Sequence, residues 1–121
     1  VATIAGLRLM GGIAPAAGGG AGGAVRNAGV LTLKDCAIQE NRAQEGGAVY
    51  SDGTSLTLDG CWISDNQASH GGGVYAASGA VVIRSSSVIL NRARAGQTGG
   101  DGGGLYLADG VTTVTISDTH I

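Results

Sequence analysis

The residue types best suited to chemistry recur along this chain at a fixed interval. Cys36 and Cys61 stand 25 positions apart, and so do Asn41, Asn66 and Asn91. A pair of thiols could close a disulfide or, with further ligands, bind a zinc ion. No other Cys or His lies at the spacing of a zinc site, so the sequence predicts neither a metal centre nor a bound cofactor.

The three asparagines are predicted to be structural. Each follows a short apolar phrase and precedes a polar residue and an alanine, so Asn41, Asn66 and Asn91 mark equivalent points of a repeat. If successive repeats lie one above another, the side-chain amides form a ladder along one corner and bond both one another and the turn backbone.

The two cysteines share another repeat position. In stacked repeats their Cα atoms would lie about 4.8 Å apart, which is within the range of a disulfide. The same position holds Ser86 and Thr119 in later repeats, which indicates a preference for small residues and not for thiols as such. Buried free thiols are therefore the favoured interpretation, and a disulfide between Cys36 and Cys61 is the alternative.

The aromatic residues are the best candidates for binding. Tyr50, Tyr75 and Tyr106 each follow a glycine-rich phrase at one repeat position, and Trp62 occupies a different position. We expect an outward ladder of tyrosines on one face and Trp62 on another. Exposed aromatics can bind sugar rings or a partner surface, or they can simply stabilise neighbouring strands, and both interpretations stay open.

Composition excludes several classes of protein. The chain has 121 residues, of which 13% are charged, and a net charge of -2, so no nucleic-acid partner is expected. No apolar run reaches the length of about 18 residues that a membrane-spanning helix needs, so no membrane insertion of this segment is expected. The first residue is not Met, which favours a processed or excised chain.

The glycines reveal the elements that must position these side chains. Ten of the 24 glycines lie in phrases that open each repeat: GGAV at 22–25 and 46–49, GGGV at 71–74, and GGGL at 102–105. A period of this length is typical of a solenoid. Each repeat contains three short segments with the alternation of half-buried strands. The turns between the first and second segments are predicted at Asn27-Ala28-Gly29, Asp52-Gly53, Ser78-Gly79 and Asp109-Gly110.

The sequence therefore predicts an all-β fold, a right-handed single-stranded parallel β-helix with three short strands per coil. We expect about four to five coils of roughly 25 residues in a single domain over residues 1–121. A partial coil spans 1–21, full coils span 22–45, 46–70 and 71–101, and a partial coil spans 102–121. The long loops at 10–21 and 94–101 are predicted at one corner, and insertions gathered on one side of a repeat array often mark its binding face.

The glycine phrases resemble a known repeat when they are taken with Ile38-Gln39-Glu40-Asn41, Ile63-Ser64-Asp65-Asn66 and the shifted Val88-Ile89-Leu90-Asn91. They are similar to the GGA[ILV] and FxxN motifs of chlamydial polymorphic outer membrane proteins and related β-helix repeats of the bacterial surface, with Ile or Val at the Phe position. The resemblance covers residues 22–121 well and 1–21 in part. It implies a β-helical autotransporter passenger segment that is extracellular or on the bacterial outer surface.

Three functions follow as hypotheses. The first is a non-catalytic structural or adhesive segment, with end-to-end stacking into filaments as an option because both ends fall inside a coil. The second is a carbohydrate-binding module that uses the tyrosine face. The third is a small pectin-lyase-like enzyme, which would need clustered carboxylates. Asp52 and Asp109 fall in turns two coils apart, so no catalytic residue is predicted, and the expected partners are a second copy or a surface carbohydrate.

Overall fold

The computed structural model describes residues 1–14, 20–93 and 102–121. Within these ranges the chain forms thirteen β-strands in three sheets, and every strand pair is parallel. Two parallel strands that are adjacent in a sheet require a crossover connection, which brings the chain back to the same end of the sheet. Repetition of that crossover produces the predicted parallel β-helix.

The first sheet contains the first and second segments of each repeat. Its strands are β1 (Ala2–Ala5), β3 (Val25–Asn27), β4 (Val30–Lys34), β6 (Val49–Ser51), β7 (Ser55–Asp59), β10 (Val74–Arg84) and β13 (Leu105–Ser117).

The second sheet contains the third segment of each repeat, and a small third sheet follows the asparagine corner. The second sheet consists of β2 (Arg8–Met10), β5 (Ala37–Gln39), β8 (Trp62–Ser64) and β11 (Ser87–Ile89). The third consists of β9 (Gln67–Ala68) and β12 (Arg92–Ala93), which the sequence did not predict.

Equivalent residues of successive repeats are paired in register. Leu31 pairs with Leu56, Leu56 with Val81, and Val81 with Val114. These inward positions build a narrow aliphatic core. Its members, all 6% exposed or less, are Leu31, Leu33, Ile38, Val49, Leu56, Leu58, Ile63, Val74, Val81, Ile83 and Val88. Because each layer lies about 4.8 Å above the last, every buried side chain packs on the layers above and below.

Two of the predicted turns are wrong. The turns at Ser78-Gly79 and Asp109-Gly110 do not interrupt the strands, because β10 and β13 each run through them without a break. Gly79 has a φ of 82°, and the register between β10 and β13 shifts on either side of it. A residue with left-handed backbone can therefore bend the sheet as a bulge while hydrogen bonding continues. The turns at Asn27-Ala28-Gly29 and Asp52-Gly53 do separate strands.

The coil turns its corners with single residues in the left-handed region. Three stacked sets of such residues have φ between 47° and 73°. The sets are Gly6, Asp35, Gly60, Ser85 and Asp118; Gly11, Glu40, Asp65 and Leu90; and Gly22, Gly46, Gly71 and Gly102. The sequence predicted the third set as glycine phrases but gave no sign of the first two, since most of their members are not glycine. Leu90 is the most unfavourable member, because a left-handed conformation costs a bulky residue about 1–2 kcal/mol.

At Gly23, Gly47 and Gly72, the second glycine of the opening phrase brings adjacent layers into backbone contact. A Cβ atom on Gly47 would overlap the carbonyl oxygen of Gly72 in the next layer and would lie 2.7 Å from the backbone nitrogen of Gln67. Gly23 meets the carbonyl of Gly47 in the same way. These positions need glycine because there is no room between the layers, whereas the corner glycines beside them adopt positive φ.

We expect Gly47→Ala to lower the free energy of unfolding by about 3 kcal/mol, because rigid backbone atoms would have to move apart. Gly29→Ala is the matched control, since its Cβ would meet nothing within 4 Å, and its effect should stay within about 0.5 kcal/mol. Urea unfolding followed by circular dichroism measures both. Equal midpoints for the two variants would contradict the interlayer contact.

Candidate functional site

The three asparagines lie in single file inside one corner. The Asn41 side-chain nitrogen donates to Asn66 Oδ1 at 3.0 Å, and the Asn66 nitrogen donates to Asn91 Oδ1 at 2.9 Å. The backbone N–H groups of Asn41 and Asn66 donate to the same oxygens at 3.0 Å. Each side-chain nitrogen also bonds a carbonyl, as Asn66 does to Ile38 at 2.9 Å. These hydrogen bonds occupy the side-chain amides, so the asparagines form a structural ladder along the corner.

Cys36 and Cys61 are buried and unbridged, so the disulfide left open by the sequence is not formed. The Cys36 thiol donates to the carbonyl of Lys34 at 3.3 Å, and the Cys61 thiol donates to that of Leu33 at 3.2 Å. Burial raises the pKa of the Cys61 thiol, which keeps it in the unreactive protonated form. Both cysteines therefore act as small core residues that also cap backbone carbonyls.

The tyrosines form a stacked column on the outer face of the first sheet. Ring centroids lie 5.3 Å apart between Tyr50 and Tyr75 and 4.7 Å apart between Tyr75 and Tyr106, with interplanar angles of 18°. The Arg26 guanidinium lies 5.7 Å from the Tyr50 ring centre and within 3.4 Å of an Asp52 carboxylate oxygen. The ring faces between neighbouring layers are therefore covered by the adjacent ring, and the phenol edges remain available for contact with a ligand.

Partial burial is the main reason why the pKa of the Tyr50 and Tyr75 phenols is raised, and nearby carboxylates raise it further. Asp52 adds to the shift at Tyr50, and Glu45 adds to the shift at both. A raised pKa keeps these hydroxyls protonated, so the column offers neutral hydrogen-bonding groups at its edge.

Trp62 lies on the outer face of the second sheet and is 47% exposed. Its indole Nε1 donates to Ser64 Oγ at 3.1 Å, and the Gln39 side chain donates to the same oxygen at 3.1 Å. Ser64 points outward by the strand alternation, yet it is only 1% exposed. The indole and the Gln39 side chain therefore reach over Ser64, and their hydrogen bonds hold the indole in place.

An open concavity adjoins the Trp62 column. Its volume is about 470 Å³, and it is lined by Ser85, Ser86, Ser87, Asp118, Thr119 and His120. Ser87 pairs with Trp62 in the layer below and with His120 in the layer above. Sequence reasoning missed this site. The run of three serines was a weak signal for it, but only the stacking of layers brings that run against residues 118–120.

Charged groups near these features form ion pairs between layers. Arg84 bonds the carboxylate of Asp59 at 3.0 Å in the outer column of the first sheet. Among residues 1–14, 20–93 and 102–121, no three His, Cys, Asp or Glu side chains come together as a metal site would require. Within the same ranges, no helix has the length and apolar character needed to cross a membrane. Residues 15–19 and 94–101 lie outside the described part, so the shared corner of the two loops stays a prediction.

Stacked parallel strands, inward aliphatic columns and interlayer ladders define this protein as a β-solenoid repeat protein. The profile of one family, described as a right-handed β-helix region, matches residues 12–121. The chain belongs to that family, and the predicted handedness and fold class are confirmed. No curated protein and no solved structure matches the chain.

We expect Asn66→Ala to lower the free energy of unfolding by about 3 kcal/mol, because the Asn41 N–H and the Ile38 carbonyl lose their partner inside the protein. Gln67→Ala, one residue further along, should change it by less than about 0.5 kcal/mol. Denaturant titration of both variants measures the difference. A loss at Asn66 no larger than at Gln67 would mean that the amide ladder contributes little to stability.

Proposed function

We propose that this chain is a non-catalytic structural segment of an extracellular or bacterial outer-surface protein, and that its coils hold binding groups on a rigid support. The observation that carries the proposal is the use of reactive side chains between layers. The asparagine amides bond one another, the thiols bond carbonyls, and Asp59 bonds Arg84. Groups engaged in this way stabilise the stack and are not available to react.

The surface location is supported by the repeat motif. The GGAV and GGGV phrases, followed by Ile-x-x-Asn or Val-x-x-Asn, are similar to repeats of chlamydial polymorphic outer membrane proteins and other bacterial surface β-helices. A stacked solenoid suits this role because its length grows with each coil while contacts stay between neighbours. Such a support holds outward side chains, including Tyr50, Tyr75, Tyr106 and Trp62, at fixed positions.

The enzyme alternative is compatible with the fold but has less support. A polysaccharide lyase or hydrolase would need carboxylates that converge on a substrate. Here the Asp59 and Asp52 carboxylates lie against the guanidinium groups of Arg84 and Arg26 in the outer columns. Ion pairs of this exposed kind are modest structural contacts.

We expect the purified chain to release no reducing ends and no unsaturated sugars from a panel of neutral and acidic polysaccharides. In cells of the source organism, an antibody against the chain should label intact cells, and external protease should remove the label. A cytoplasmic chaperone serves as the control for cell integrity. Sugar release, or a label that appears only after lysis, would refute the proposal.

A second proposal, self-association end to end, is supported by the open edge of β13. Val114 and Ile116 are 41% and 43% exposed, whereas Val81 and Ile83 directly below them are 1% and 0% exposed. Strand β1 at the other end belongs to the same columns, since Ile4 pairs with Leu33. A second copy could therefore add β1 to β13 in register and cover these side chains, as open sheet edges tend to do.

Sedimentation velocity over a range of protein concentrations tests this association. We expect the parent chain to form larger species as concentration rises, and Ile116→Lys to abolish them, because a charge would enter the apolar contact. Thr115→Lys, on the outward side of the same strand, should leave association intact. A parent chain that stays monomeric throughout would exclude the second copy as partner.

A further inference from the structure

The outer face of the second sheet contains a slot between two rings. The column that includes Trp62 continues through Ser87 to His120, and Ala37 lies below the indole. The two large side chains are thus separated by the small Ser87, across two layers or about 9.6 Å of sheet. Both Trp62 and His120 are exposed, so the gap over Ser87 opens to solvent.

The indole at this slot is held in one orientation before any ligand arrives. Its Nε1 donates to Ser64 Oγ, which also accepts a hydrogen bond from Gln39, and Ser64 is covered as a result. A ring fixed in this way loses little conformational entropy on binding, which favours affinity. Ser87, which pairs with Trp62 in the layer above, is small and leaves room for a flat ligand beside the exposed indole.

Polar groups surround the slot on its upper side. Ser85, Ser87, Asp118 and His120 line the adjoining concavity, which is open to solvent and has a volume of about 470 Å³. Hydroxyl, carboxylate and imidazole groups can accept and donate hydrogen bonds to several hydroxyls at once. An aromatic ring beside such a set matches a ligand with one apolar C–H face and a polar rim.

The tyrosine column does not provide the same arrangement. Tyr75 has a ring stacked on each side at 5.3 Å and 4.7 Å, and Arg26 lies next to Tyr50. A sugar would have to displace these groups before it could stack on Tyr50 or Tyr75. The tryptophan differs because the repeat places small residues, not further rings, beside it in the column.

We propose that Trp62, Ser87 and the concavity over Ser85, Asp118 and His120 form a binding site for a neutral pyranose sugar. The sugar stacks its C–H face on the indole, lies over Ser87, and directs its hydroxyls to the concavity. Asp118 is the carboxylate among the lining residues, so an acidic sugar is disfavoured by charge repulsion. This proposal assigns a ligand class to the binding groups that the proposed support role holds at the surface. Its biological use rests on that proposed function, but binding itself is measured directly.

The single tryptophan makes the test specific, because indole fluorescence reports only Trp62. The folded chain is titrated with methyl β-galactopyranoside, methyl β-glucopyranoside, galacturonate and, as a non-cyclic control, glycerol. We expect a saturable fluorescence change with at least one neutral glycoside, at a dissociation constant on the order of 1 mM, since an open site buries little ligand surface. Galacturonate should bind about tenfold more weakly, and Asp118→Asn should remove that preference.

Two variants in the Trp62 column separate the site from the general stability of the fold. Ser87→Leu fills the slot and should abolish the saturable change, while Ala37→Ser, on the other side of the indole, should leave it unaltered. Circular dichroism of both variants verifies the fold. The proposal is overturned if the folded parent gives no saturable change with either neutral glycoside, or if Ser87→Leu binds as the parent does. Failure here leaves the support role intact, whereas sugar release from polysaccharides refutes that role without touching this site.

Discussion

The constraint on which this structure depends is the single-residue corner. At each corner one residue adopts left-handed backbone, so the chain changes direction sharply and returns above its starting point. Because the corners recur in every layer, equivalent residues fall into columns spaced about 4.8 Å apart. Glycine at positions such as Gly47 has no side chain, so the backbones of adjacent layers come into direct contact there. The aliphatic core, the amide ladder and the tyrosine column all follow from this repetition.

Stacking has a consequence for chemistry. When identical residues of successive layers stack, their polar groups form hydrogen bonds with the next layer. The asparagines bond one another in this way. A perfectly regular solenoid therefore tends to satisfy its own side chains and has few groups left for ligands. Binding chemistry is expected where the repeat is broken by an unlike residue. Trp62, placed between Ala37 and Ser87, is such a break.

The columns could be predicted from the sequence because they need only the period and the alternation of strands. The pairing of Leu31 with Leu56, and the placing of Tyr50 on Tyr75, follow directly from those two features. Two of the three corners could not be predicted, because Asp35, Glu40 and Leu90 adopt positive φ without the glycine that usually signals it. The fusion of two segments into β10 was missed for a related reason, since Gly79 bends the strand without ending it.

By itself, the sequence determined the fold class and the residues that share each column, because a fixed period leaves a parallel stack few other registers. Only the tertiary structure decided what those neighbours do to one another. It shows that the thiols of Cys36 and Cys61 bond carbonyls instead of each other, and that residues 118–120 meet the serine run beside Trp62. These outcomes depend on side-chain rotamers and corner dihedrals, which are set by the packing of adjacent layers and are not encoded in the spacing of residue types.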